Sequence, residues 1–363
     1  MGYRDEDPLF SVKRKRSFKG LAVFILILLI LTVSTVLVNA FINRQVQAVS
    51  LSVTIPSLPS SLQGYRILHI SDLHGASFGA GQEGIQAAIR SLKYDLVVMT
   101  GDMVGADGDF NALMDLIDLI DERIPVILVA GDEDPVPIQT TARISNQVKA
   151  EYILAAEKRG VIYLDEPYAL TVGKTTLWLC PDSIYSTDLS TAEHTYQYNL
   201  ELLNKTEETE DSQAARRAIE YWLKRLDRTR ESLMTMKSSD IKILVTHTPY
   251  TQARIGELQY AAEGGLVNNA TPVSLILAGH YNAGQCLIPG LGPVFIPATL
   301  GLDIVDRWFP GDMKLSGLGT LKGITQHISP GLGSAGIYAP MGWRFFNSPT
   351  VTLLTLTNKL VAQ

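Results

Sequence analysis

Six side chains of the kinds that bind divalent metals recur at one kind of place in this chain. Asp72 and His74 follow the apolar run 66–70, Asp102 follows 95–100, and Asp132 follows 125–130. Further along, His247 follows 241–246 and His280 follows 274–278. A single Asp after a strand-like run is ordinarily a turn or helix-cap residue. Five such run ends that each supply Asp or His are better explained by one shared metal site, since metal sites draw carboxylate and imidazole together. Neutral imidazoles suit Mn, Fe, Zn or Ni, whereas Mg or Ca would prefer an all-oxygen site.

These side chains are far apart in sequence, so the fold must gather them. The runs are too continuously apolar for strands with one wet face, and they read as strands covered on both sides. Helical stretches at 82–92 and 109–119 separate the first three, a β-α-β-α-β order typical of an α/β layered fold. Ligands in such folds collect at the carboxyl ends of the strands, where all six side chains fall. A short alternating piece at 51–55 reads as an edge strand stopped by Pro56. His69 lies within a strand and reads as a hydrogen-bonded core residue.

Composition narrows the setting. The chain has 363 residues, 46% of them hydrophobic, with 31 basic against 37 acidic side chains. A net charge of −6 argues against a nucleic-acid partner, which would need a basic face. Two cysteines, Cys180 and Cys286, exclude a disulfide scaffold, and their spacing leaves open whether they pair. Residues 20–43 carry no charge, and a helix of that length can cross a ~30 Å hydrocarbon core. Because a signal peptide needs only ~7–15 apolar residues, we read this run as an uncleaved anchor in the lipid bilayer. Residues 1–19 carry +3, which leaves −9 for the remainder. The positive-inside rule then puts the N-terminus in the cytoplasm and the main domain, 44–363, outside it in a single-pass cell-membrane protein. An anchor holding a cytoplasmic domain is the open alternative.

Within that domain, residues 191–239 turn polar, charged and helical, and read as an insertion. Ile219, Trp222, Leu226, Leu233 and Met236 fall near one face of a helix over 212–237. Arg216, Arg217, Glu220, Lys224, Arg225, Asp227 and Glu231 are assigned to its polar face, whose mixed charge does not suit lipid. The helix is expected to pack on the core or to cap the site. His194, in the same insertion, reaches the site only if that segment folds over it.

The motifs Asp72-Leu73-His74, Gly101-Asp102, Gly131-Asp132-Glu133-Asp134, His247 and Gly279-His280-Tyr281-Asn282 resemble those of the calcineurin-like metallophosphoesterases, most closely the membrane-associated bacterial branch. The resemblance runs from about residue 51 to 360. It implies a four-layer α/β/β/α sandwich, with the transmembrane helix and the helical insertion as additions. It also implies a pair of divalent metals, with Asp72 and His74 on the first, Asp102 bridging, and Asp132, His247 and His280 on the second. A water activated by the metals would attack phosphorus.

Three positions depart from the family pattern G-N-H-D and G-H-x-H. Asp132 replaces an Asn and keeps a ligand oxygen. Glu133 replaces the His that serves as proton donor, so Glu133 and His280 are the candidate catalytic side chains. Asn282 replaces a His ligand of the first metal, and an amide oxygen binds transition metals less well than imidazole. His327, beside the loop 329–333, is a candidate stand-in for that imidazole. One or two metals per chain are therefore expected. The activity implied is hydrolysis of a phosphoester or diphosphate bond in a phosphorylated small-molecule or lipid substrate. The alternative is a weakened or inactive member serving as a membrane-bound binding or assembly subunit, with a protein partner.

Overall fold

The computed structural model describes residues 18–141, 147–183, 187–256, 272–296, 307–311, 313–335 and 343–359. The basic tail expected over 1–19 lies outside these residues except for its last two. The chain divides into two compact units, Met1–Phe41 and Ile42–Gln363, which are taken separately.

In the first unit the apolar run is helical. Helix α1 spans Phe18–Asn43, and its mean hydropathy reaches 3.1. By length and composition it fits a membrane span, and a signal sequence near an N-terminus fits the same description.

The second unit is α/β. Its strands are, in chain order, β1 (Gln47–Thr54), β2 (Arg66–Ile70), β3 (Leu96–Thr100), β4 (Val126–Val129), β5 (Ile162–Tyr163), β6 (Tyr168–Val172), β7 (Thr175–Pro181), β8 (Ile241–Val245) and β9 (Leu275–Ala278). Two short hairpins follow, β10 (Leu287–Ile288) with β11 (Gly292–Pro293) and β12 (Phe295–Ile296) with β13 (Arg307–Trp308). Strands β14 (Gly317–Leu321), β15 (Ile324–Ile328) and β16 (Thr350–Thr357) close the unit. Two six-stranded sheets result, ordered β1-β16-β2-β3-β4-β5 and β14-β15-β9-β8-β7-β6. Strands β2 to β5 run parallel, as do β7, β8, β9 and β15.

Because side chains alternate along a strand, each strand feeds two cores. On β2, Ile67 faces the second sheet, where it shares a buried layer with Leu96, Ile127, Leu177, Ile243 and Leu275. Its neighbours Leu68 and Ile70 face outward, onto helices α2 (Glu83–Ile89), α3 (Asn111–Asp118) and α4 (Glu151–Glu157). The second sheet turns Trp178, Cys180, Leu244 and Ile276 outward, against Leu233, Met236, Tyr250 and Ile255. Helices, sheet, sheet and helices are thus stacked as four layers, which is why the strand runs are almost continuously apolar. Deleting a fully buried member of the middle layer, such as Ile127, would cost about 2–5 kcal/mol. Cys180 and Cys286 are free thiols, and both are buried.

The polar segment expected to be helical forms α5 (Leu189–Leu203) and α6 (Glu210–Thr235). Thr209 and Ser212 cap α6 reciprocally, satisfying donors that a helix start leaves open. Its buried stripe is Ala214, Ala218, Arg225, Leu226 and Thr229, which corrects the polar-face assignment of Arg225. That guanidinium is 5% exposed and pairs with Asp165 and Glu166. A cation at helical spacing reads as solvated until its acidic partners, some sixty residues earlier, are known.

Candidate metal centre

The loops leaving β2, β3, β4, β8 and β9 converge beyond the strand ends, and several leave in a conformation that side chains normally avoid. Asp72, His74, Asp102, His280 and Asn282 have φ of 53°, 49°, 53°, 73° and 48°. Left-handed backbone at such residues costs of order 1–3 kcal/mol each and persists only where surroundings impose it. Backbone bonds impose it here: Asp72 N–H donates to the Gly101 carbonyl at 2.9 Å, and His74 N–H to the Asp102 carbonyl at 2.8 Å. Gly101 (φ +88°) and Gly131 let these loops approach closely. A Cβ on Gly131 would fall 2.0 Å from Asp102 Oδ1.

One group of side chains comprises Asp102, Asp132, His247 and His280, with one donor atom from each within 4.8 Å of the others. His247 Nε2 lies 2.7 Å from Asp132 Oδ1 and 3.2 Å from Asp102 Oδ2, and His280 Nδ1 lies 3.2 Å from Asp132 Oδ1. His247 Nδ1 lies 2.7 Å from the Thr100 carbonyl, which can only accept, so Nδ1 carries a proton and Nε2 is the ring atom turned to the cluster. A second group joins Asp72, His74 and Asp102 on the same terms, so Asp102 belongs to both. Asp72 Oδ1 accepts the His280 N–H at 2.9 Å, and Ser71 Oγ donates to Asp72 Oδ2.

The electrostatics follow from packing these carboxylates and imidazoles close together. Burial opposes ionisation of His247, but the Asp102 carboxylate and bonds to Asp102 and Asp132 hold its pKa well above the ordinary value. Burial raises the Asp72 pKa, with Asp102 adding to it. For Asp132, burial is outweighed by the bonds from His247 and His280, which hold its carboxyl well below the usual range. A divalent cation would take over the work these protons do. The donor set of the first group, two carboxylates and two imidazoles, fits such an ion.

Glu133 is oriented by the same framework. Its N–H donates to Asp102 Oδ1 at 2.8 Å, and its carboxylate sits 3.1 Å from His74 Nδ1, both side chains being buried. Asp134 accepts the N–H groups of Met103, Val104 and Gly131, each at 2.8 Å, and so ties the β3 and β4 loops together. Burial, reinforced by Asp102, pushes its carboxyl up to about 6. Asn282 lies with Nδ2 3.3 Å from His74 Nε2, while its Oδ1 accepts from Arg344 at 3.4 Å.

A cavity of about 490 Å³ opens beside Asp132 and His247, lined also by Tyr163, Asp182, Trp222 and Arg254. Trp222 brings α6 to the edge of this cavity. His194 is exposed on α5. His327 lies in neither group. It faces the middle layer from β15, where its Nδ1 is 2.7 Å from Nδ1 of His69. Sequence reasoning missed Thr100, Arg344 and Asn347. The one signal for Arg344 was a cation in the aromatic stretch Trp343-Arg344-Phe345-Phe346.

Among solved structures, the chain is similar to phosphopantetheinyl hydrolase (PptH) from Mycobacterium tuberculosis, with 15% identity, TM-score 0.36, and coverage of 74% of this chain and 91% of that one. It is also similar to the sulfate thiohydrolase SoxB of Thermus thermophilus in complex with glycerol, with 10% identity, TM-score 0.32, and coverage of 83% and 58%. No curated protein sequence matches the chain. The family model for calcineurin-like phosphoesterase matches residues 65–282. That span is more than half of the chain and runs from the strand before Asp72 to Asn282, so the chain belongs to the calcineurin-like phosphoesterase family.

Proposed function

We propose that the chain is a membrane-tethered, divalent-metal-dependent phosphoesterase that hydrolyses a phosphoester or diphosphate bond in a lipid-linked substrate. The observation that carries this reading is the convergence of Asp102, Asp132, His247 and His280, four side chains from four strand ends, on one point. These residues would hold the metal, with Asp72 and His74 beside it. Two imidazoles in the set favour Mn, Fe, Zn or Ni over Mg or Ca. When bound, such an ion lowers the pKa of a coordinated water and offsets charge building on the phosphoryl group.

The chain's own residues do the rest. Thr100 fixes the His247 tautomer, so that its Nε2 faces the reacting centre. Glu133, whose carboxylate lies 3.1 Å from His74 Nδ1, would position His74, a role that competes with the proton donor expected from sequence. Asp132, whose side chain is 39% exposed, marks the open side, and the adjoining cavity would receive the part of the substrate that does not react. The apolar α1 supports a tether, with residues 1–19 as cytoplasmic tail, 20–43 as anchor, and 44–363 as an extracytoplasmic domain carrying the 191–239 insertion.

The test uses the full chain in detergent micelles with Mn²⁺, offered a lipid-linked diphosphate and its water-soluble analogue. A higher kcat/KM for the lipid form is expected. Equal values would remove the lipid from the reading. No hydrolysis of either by metal-bound protein would favour the non-catalytic binding or assembly subunit.

A further inference from the structure

The two groups that share Asp102 are not equivalent. Around Asp102, Asp132, His247 and His280 the facing atoms are carboxylate oxygens and imidazole nitrogens. Around Asp72, His74 and Asp102 the remaining side is closed by Asn282, and the way that amide is turned decides what the site offers an ion.

Its orientation is set by two neighbours that can each do only one thing. The Arg344 guanidinium has donors and no acceptor, and its Nη1 is 3.4 Å from Asn282 Oδ1. The His280 carbonyl can only accept, and it takes Asn282 Nδ2 at 3.4 Å. Reversing the amide would set NH₂ against the guanidinium and oxygen against a carbonyl. The NH₂ therefore faces His74, 3.3 Å from its Nε2, where an oxygen ligand would have to stand.

Arg344 cannot easily release its hold. It is 2% exposed, and its Nε donates to the Asn347 carbonyl at 3.0 Å. Nη1 donates to the Gly333 carbonyl at 2.8 Å as well, and Nη2 to the Pro330 carbonyl and Asn347 Oδ1, both at 2.9 Å. Every N–H of the guanidinium thus has an acceptor. The same bonds hold the loop Pro330–Gly333 onto Asp72, where the Gly333 N–H donates to the Asp72 carbonyl at 2.6 Å. A fixed positive charge is thereby built in within electrostatic reach of Asp72, whose carboxylate a first metal would need.

We propose that the chain keeps a single divalent metal, held by Asp102, Asp132, His247 and His280, and that Arg344, acting through Asn282, leaves the Asp72–His74–Asp102 position without a tightly held ion. This rests on the metal-dependent reading given above, and the test separates the two. The full chain in detergent is loaded with Mn²⁺, desalted, and analysed for metal per chain. Wild type should retain one Mn, with the electron paramagnetic resonance spectrum of an isolated ion. Two Mn per chain with a coupled spectrum would overturn the inference while leaving the phosphoesterase reading intact. Zero would sink that reading, and the inference with it.

Asn282→His should raise the content from one to two, because it replaces the NH₂ with an imidazole lone pair. Where that variant melts early, Asn282→Asp serves instead. It keeps the size and the Arg344 bond and turns an oxygen toward His74. A content that stays at one in a folded variant would refute the role assigned to Asn282 and Arg344.

Discussion

Acid should loosen the contact between the two sheets at His69 and His327. The two rings face each other from β2 and β15, both fully buried, with their Nδ1 atoms 2.7 Å apart. One proton can bridge that gap, and a second would set two N–H groups against each other with no acceptor. His69 Nε2 reaches Thr100 Oγ1 at 3.0 Å, while His327 Nε2 has no hydrogen-bond partner among the described residues. Burial, together with Lys314, lowers the His327 pKa to about 3, and burial with the His327 charge holds His69 well below its ordinary value. Unfolded, a histidine takes its proton near pH ~6.5. Above that pH neither state binds the proton, and the contribution to stability is complete. As the pH falls toward 3, the unfolded chain accepts a proton that the folded chain refuses, so stability is lost. At about 1.4 kcal/mol per tenfold ratio, His327 alone removes about 2 kcal/mol between pH ~7 and ~5. Urea unfolding of the full chain in detergent at both pH values, for wild type and His327→Gln, reads this directly. The variant should lose about 2 kcal/mol less on acidification. An equal loss in both proteins would refute the reasoning.

Glu133→Gln should lower kcat/KM roughly 10–100-fold by releasing His74, with the acid limb of the pH–rate profile unmoved. Loss of that limb would make Glu133 the proton donor after all. Arg225→Ala should destabilise the protein by about 3–5 kcal/mol in urea melts, because it strands Asp165 and Glu166 beneath α6. A loss below about 1 kcal/mol would mean that the clamp is solvated in solution.

The strand ends were legible in the sequence because two independent signals coincide there. Almost continuously apolar runs announce strands covered on both faces, and the Asp or His at each end marks the rim. The helices at 82–92 and 109–119 were legible in place but shorten to Glu83–Ile89 and Asn111–Asp118. Arg225 was misplaced because helical periodicity assigns a cation to solvent, and its acidic partners lie in the loop after β5. Asn282 could be seen as a departure from the family pattern. Which way its amide turns depends on Arg344, sixty-two residues later, which no local pattern connects to it. His327 has the composition of a ligand and the neighbours of a core residue. Only the register of β15 against β9, with His327 opposite Leu277, decides between them.

The central claim, a metal-dependent phosphoesterase centred on Asp102, is tested most directly by the hydrolysis of an aryl phosphodiester. Wild type in detergent should turn the ester over with Mn²⁺, stop on chelation, and recover when the ion is restored. Asp102→Ala, which removes the carboxylate common to both groups, should fall by more than the roughly 100-fold that loss of a mere supporting residue costs. Equal rates in the two proteins would contradict the account.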